Sequence, residues 1–310
     1  MTGADLIAEL RAGLGRHMPL PAHGETTRRH LRLMGFGRRN LSLARLAEAH
    51  YDAVAILAEA NCPAADNAIY GVWASEVPGK GLELLHTRDG LFVCGSKMFC
   101  SGAALIDRAL VTVPHPEHLL ITIDLRAFAD TIHIDESPWK TRAFQETGTA
   151  TVTFRDTPVP EANIIGTSGW YLNRPGFWHG ACGPAACWAG GAEGLMDYAQ
   201  KQTRKDSHTL AHLAAMQASI WAMQSFLESA GRQMDEYPED ILGAQRRALI
   251  VRHLIEQACT DVLRRFARAY GPYPLSMDED IANRYQELDL YLRQSHAERD
   301  LEALAKLFVG

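Results

Sequence analysis

DGLFVCGSKMFCSGAALIDRALVTV, from Asp89 to Val113, holds two short apolar runs, GLFVCG and RALVTV, separated by a link containing Gly, Ala and Asp. Runs of this length bounded by turn formers have the grammar of strands. The same grammar continues outward through HLLITIDL (118–125) and TATVTF (149–154), after which Pro158 and Pro160 close the last run. Proline cannot donate to a strand ladder, so it ends one. In an unbroken strand Phe99 and Ser101, two residues apart, point to the same face. Residues 68–168 are therefore expected to form a β domain.

The flanks are helical. Asn40 is placed to cap a helix through LSLARLAEAHYDAVAILAEA, whose apolar positions recur three and four apart, and residues 1–67 form an N-terminal helical segment. Residues 169–310 contain long helical stretches at about 177–203, 207–235, 239–269 and 278–308, with Gly271-Pro272 breaking the third from the fourth. Long helices with short connections pack as an antiparallel bundle. The expected fold class is α+β, mostly α: a short N-terminal helical segment, an antiparallel β domain and a C-terminal four-helix bundle.

Composition excludes some functions. Over 310 residues the formal net charge is −6, whereas a nucleic-acid binder carries an excess of Lys and Arg. No apolar run is long enough to cross a bilayer. MTGADLIAELRAGLGRHM lacks the unbroken apolar core of a signal peptide, so the expected location is cytoplasmic. The six cysteines form no CxxC pair and none lies beside a His at ligand spacing, so free thiols are expected and no metal.

Read in order, several segments resemble the acyl-CoA dehydrogenase superfamily. GSKMFCSG is similar to a family strand in which an aromatic and a hydroxyl residue contact the flavin; these positions are Phe99 and Ser101. GVWASEVPGKG resembles the family's Thr-Glu-Pro-Gly loop, with Ser75 and Glu76 at the Thr-Glu positions and Trp73 just before them. The Ser that the family carries near the end of this loop is Leu82 here. Trp139 and GTATVTFRDTPVPEANIIG resemble the motif that leads from the β domain into the bundle, and NLSLARLAEAHYDAVAILAEA and the tail from Gly271 are similar to helical parts of some bacterial members.

The resemblance implies FAD as cofactor, with Trp73, Ser75, Phe99, Ser101, Arg204 and Arg268 as binding candidates. Arg204 stands two residues too far from Tyr198 for the family's diphosphate-binding Arg, and Arg268 replaces a Gln with Pro272 where a second Gly belongs. The implied reaction is α,β-dehydrogenation of an acyl-CoA or acyl-carrier-protein thioester, in which a carboxylate removes the α-proton; burial raises a carboxyl's pKa toward such work. Aligning on Arg293-Gln294 puts Glu302 at the base position, with Glu298 one turn earlier, whereas aligning on Arg299-Asp300 puts Phe308 there. Two other readings use the same scaffold: a flavin-dependent monooxygenase, which needs no such base, and a catalytically degenerate subunit paired with an active paralogue. Trp178, Trp188 and Trp221 occupy apolar helical positions and suit a core or an interface, so a homo-oligomer is expected; the degenerate reading implies instead a hetero-oligomer with a paralogue, and the resemblance implies a flavoprotein electron acceptor as a further partner.

Overall fold

The computed structural model describes residues 1–14, 17–77 and 81–309, and the Pro78-Gly79-Lys80 part of the loop singled out above lies outside them. Helices α1 (Gly3–Gly13), α2 (Thr26–Arg39) and α3 (Leu41–Glu59) come first. Strands β1 (Tyr70–Trp73), β2 (Leu82–Thr87), β3 (Gly90–Cys100), β4 (Arg108–Val113), β5 (Leu119–Asp124), β6 (Ile132–Asp135), β7 (Ala150–Pro158) and β8 (Ile164–Ile165) follow. The remainder is helical: α4 (Trp170–Asn173), α5 (Pro175–Gly180), α6 (Cys182–Lys201), α7 (Ser207–Glu236), α8 (Ile241–Tyr270), α9 (Tyr273–Met277), α10 (Glu279–Leu292) and α11 (Glu298–Val309). By contacts the chain forms two compact units, one of residues 1–17 and 46–177 and the other of 18–45 and 178–310. The N-terminal helices therefore contribute to both.

The first unit holds two four-stranded sheets, ordered β1-β4-β5-β8 and β2-β3-β7-β6. All pairings are antiparallel except β1 with β4, which run parallel from Tyr70↔Arg108 to Trp73↔Val111. A parallel pair needs a long crossover, and here β2 and β3, which belong to the other sheet, lie within it. Leu119 to Ile123 of β5 are buried without interruption, whereas β7 alternates buried and half-buried residues from Ala150 to Phe154. β5 is thus covered on both faces and β7 on one.

In the second unit α2 lies against α6 at backbone contact. A Cβ on Gly37 would strike the Cys187 carbonyl, and one on Gly190 would strike the Met34 carbonyl, whereas Gly35, one turn-edge away, faces open space. Asn40 closes α2 and caps α3, its Oδ1 accepting the Leu43 N–H at 2.8 Å. The helical stretch expected at 278–308 is two helices, because the chain leaves helical geometry after Leu292 and Ala297 takes a left-handed φ of 47°. The stretch expected at 177–203 likewise begins as the separate turn α5 before α6. Among the described residues no helix is long and apolar enough to cross a membrane.

Each unit buries a histidine. His30 hands its Nδ1–H to the Leu227 carbonyl at 3.0 Å, His50 accepts the Tyr70 N–H at 3.2 Å, and burial pushes both down to about 4.

Two predictions follow from this packing and burial. Gly37→Ala and Gly190→Ala are expected to lower unfolding free energy by about 1–3 kcal/mol through overpacking, whereas Gly35→Ala raises it by up to ~1 kcal/mol through helix propensity; urea melts of the three variants check the contrast. The buried histidines stay neutral in the fold while the unfolded chain takes up protons below the free value of about 6.5. Stability is therefore expected to fall as pH drops from about 6.5 toward 4, by at most ~1.4 kcal/mol per pH unit for each histidine. Melts at stepped pH read this slope, and His30→Gln should shrink it.

Candidate functional site

The end of β3 departs from regular strand geometry. Lys97 pairs with Val152 and Cys100 with Ala150, so Met98 and Phe99 together oppose the single residue Thr151. This is a β-bulge, a device that re-aims side chains and recurs beside active sites. Phe99 takes a left-handed φ of 61° and is 51% exposed. Such a conformation is strained for a bulky aromatic residue and an exposed ring gains nothing from it locally. The simple alternation that puts Phe99 and Ser101 on one strand face does not hold, because the bulge intervenes and the strand ends at Cys100.

Three chain segments meet at this end of the unit. The buried Trp73 donates its indole N–H to the Ser101 carbonyl at 3.0 Å, tying the end of β1 to the turn after β3. Trp73 is 2% exposed, so it braces this turn and offers no open ring face to a ligand. The Ser101 hydroxyl is half-buried and receives the Thr149 hydroxyl at 3.3 Å. Lys97, 4% exposed, donates to the Thr112 carbonyl at 2.9 Å and to its Oγ1 at 3.0 Å, and lies 3.9 Å from Glu76. Thr112 passes its own hydroxyl proton to Glu76 Oε1 at 3.2 Å. Burial pushes the Lys97 ammonium down, and Glu76 opposes that shift.

Beside this cluster lies a cavity of about 380 Å³. Its walls are mainly apolar: Ala74, Val113, Leu119, Leu172 and the rings of Tyr171 and Phe177, with Glu76, Thr112 and His118 as its polar side chains. Tyr171 and Phe177 meet edge to face, centroids 5.5 Å apart. The wall they form is anchored from behind, since the buried Arg174 pairs with Glu59 and sits over the Tyr171 ring at 5.2 Å. Volume and lining suit a small-molecule site.

Of the residues singled out from sequence, Trp73, Ser75, Phe99 and Ser101 all lie in the first unit, where Trp73 and Ser101 are joined by a hydrogen bond. Ser75 is exposed, and Leu82 is fully buried in β2, where it supplies no hydroxyl. In the second unit, Arg204 is exposed and paired with Asp206 at 2.8 Å. Arg268 is exposed and joins Arg264 and Arg265 around His212, whose pKa is lowered by burial and then by these cations. Glu302 and Glu298 stand on α11, a helix with no buried residue; Glu302 is paired with Lys306 at 2.6 Å, its side chain 64% exposed. Trp188 is fully buried and Trp221 is 70% exposed. Sequence reasoning missed Lys97, Thr112, Tyr171 and Phe177; a lysine inside an otherwise apolar strand was the one available signal. Among the described residues no group of His, Cys, Asp and Glu is arranged to hold a metal.

No protein-family model matches the chain, and no curated protein matches it in sequence. Solved structures do match. Dibenzothiophene monooxygenase (TdsC) from Paenibacillus sp. A11-2 superposes with a TM-score of 0.79 at 16% identity, covering 99% of this chain and 87% of that one. KijD3, solved with FMN and a dTDP-linked amino keto sugar, gives 0.78 at 14% identity over 98% and 82%. Butyryl-CoA dehydrogenase from Megasphaera elsdenii gives 0.77 at 15% identity over 91% and 82%. The chain has the fold of the acyl-CoA dehydrogenase superfamily.

Proposed function

We propose that this chain is a flavin-dependent oxidoreductase of the monooxygenase type, in which reducing equivalents come from a separate flavin reductase. The observation that carries this reading over thioester dehydrogenation is the setting of Glu302 and Glu298. A base that removes an α-proton needs a desolvated carboxylate to work near neutral pH. Both candidates are exposed on α11, and Glu302 is already engaged by Lys306. Oxygen insertion makes no demand on either.

The residues present fit a flavin ring. Phe99 offers an exposed aromatic face on a strained backbone, and the hydroxyls of Ser75 and Ser101 lie on the two segments that Trp73 ties together. Phe99 would pack on the ring and the two serines would hydrogen-bond its edge. A bound reduced flavin would supply the two electrons with which one atom of O₂ enters the substrate and the other leaves as water. The chain's share is to hold the substrate in a largely apolar cavity, where water is excluded. FAD and FMN share the ring; Leu82 withdraws a hydroxyl only from the diphosphate, which FMN lacks. Six free cysteines, four of them buried, fit a reducing cytoplasm. Exposed Trp221 and Leu242 on α7 and α8 support assembly of at least a dimer.

The purified protein is expected to release FMN or FAD on denaturation, and Phe99→Ala to retain flavin about tenfold less well, as loss of an aromatic contact implies. Anaerobic titration with acyl-CoAs should leave the flavin oxidised, while a flavin reductase with its nicotinamide donor bleaches it. Bleaching by an acyl-CoA that drops at least ~10²-fold in Glu302→Gln or Glu298→Gln would restore dehydrogenation. A protein that neither carries nor takes up FMN or FAD would point instead to a degenerate partner subunit. Light scattering is expected to return a mass of at least two chains; a monomer at working concentration contradicts the assembly.

A further inference from the structure

Helix α7, 30 residues long, turns one face inward and leaves the other to solvent. Leu213, Met216, Ile220, Met223 and Leu227 are buried, and the opposite face recurs at steps of four and three from Ser207 to Arg232. That outer face lacks the charges a solvated helix surface usually carries. After Ser207 it reads Ala211, Ala214, Ala218, Trp221 and Ser225, and the first charge comes only at Glu228. Alanine is an ordinary occupant of a helix surface. Trp221, at mid-helix and 70% exposed, is not: a large aromatic ring is the kind of side chain that anchors an interface. Steps alternating between three and four residues are also the spacing of a seam between paired helices.

We propose that this face pairs with the same face of a second copy, the two α7 helices running antiparallel about a two-fold axis between Ala218 and Trp221. In that register Trp221 of each copy lies against Ala218 of the other. The same register sets Ser225 against Ala214, Glu228 against Ala211 and Arg232 against Ser207. Each step joins a small residue of the N-terminal half to a larger one of the C-terminal half. The surface is therefore complementary to itself, as a two-fold interface requires. Charge fixes the direction. Neither the Glu228 carboxylate nor the Arg232 guanidinium has a partner among the described residues. Antiparallel pairing brings Glu228 within a turn of His208 and Arg232 beside the exposed Asp206 carboxylate of the other copy. Parallel pairing sets each against its own like charge, which is unfavourable. The inference gives the assembly proposed above a surface and a register, and it is independent of which flavin chemistry the chain performs.

Light scattering and cross-linking on the full-length protein test the surface and the register separately. Trp221→Glu, which brings two carboxylates to the axis, is expected to raise the dissociation constant by about 30-fold or more. Ala218→Arg, which fills the space opposite Trp221, should do the same and serves if Trp221→Glu does not fold. Leu242→Glu, at an exposed position on α8, should leave the mass unchanged. For the register, Ala214→Cys is combined with Ser225→Cys. Within one chain these positions lie roughly 16 Å apart along the helix, whereas a disulfide joins Cα atoms about 4.4–6.8 Å apart. Mild oxidation of the double variant is expected to give a covalent dimer on a non-reducing gel, and either single variant and wild type should give none. A monomeric wild type, a mass unmoved by both Trp221→Glu and Ala218→Arg, or one lost in Leu242→Glu instead each overturns the proposal. So does a double variant that fails to cross-link, or cross-linking through Ala214→Cys alone. Flavin release is measured on the same preparation: cross-linking without flavin defeats the functional reading alone, and flavin without cross-linking defeats the pairing alone.

Discussion

A lysine that is 4% exposed has to have its ammonium met by acceptors, because leaving a charge buried without partners costs several kcal/mol. Lys97 meets this requirement with atoms from β4 and, at longer range, with Glu76 beyond the end of β1. β3 belongs to one four-stranded sheet, and β1 and β4 to the other. The lysine is thus a polar tie between the sheets, and Trp73, through the Ser101 carbonyl, is a second. With both in place the β3 turn and the loop after β1 have little freedom to separate. Thr112 and Glu76 owe their orientation at the cavity edge to the same charge.

The bulge follows from this tie. Lys97 points inward and Cys100 is fully buried, so the residues between them must be fitted opposite one partner residue, Thr151. The extra length is absorbed at Phe99 as a left-handed backbone, and its ring is turned outward. Strain of this kind persists only where surrounding structure over-determines it, and here two buried residues and a paired strand do so.

Much of this architecture was legible in the chain. Pro158 ends β7, Asn40 caps α3, and the apolar runs fall on strands, because each depends on a few neighbouring residues. The break between α10 and α11 was not, since nothing in RQSHA forbids a helix and the chain turns there through a left-handed Ala297. The parallel β1–β4 pair was hidden for another reason: it joins residues nearly forty apart across two strands of the other sheet. Phe99 was singled out on a strand alternation that the bulge interrupts, as a period of two cannot show a register shift. The bond from the Trp73 indole N–H to the Ser101 carbonyl was not legible, because which partner an indole N–H meets is decided by tertiary contact.

Glu76 and Glu302 show why a carboxylate's position along the chain says little about its use. Each has a lysine partner. The Lys306 partner of Glu302 is one helical turn away, and both side chains are more than 60% exposed; such pairs form on many helix surfaces and contribute little. The Lys97 partner of Glu76 is buried, and the threonine between them holds one carboxylate oxygen while the other stays uncommitted at the cavity edge. Chemistry needs a carboxylate that is oriented, partly desolvated and still able to accept a bond. Glu76 differs from Glu302 and Glu298 in accepting the Thr112 hydroxyl and lining the cavity, although its side chain too is 48% exposed.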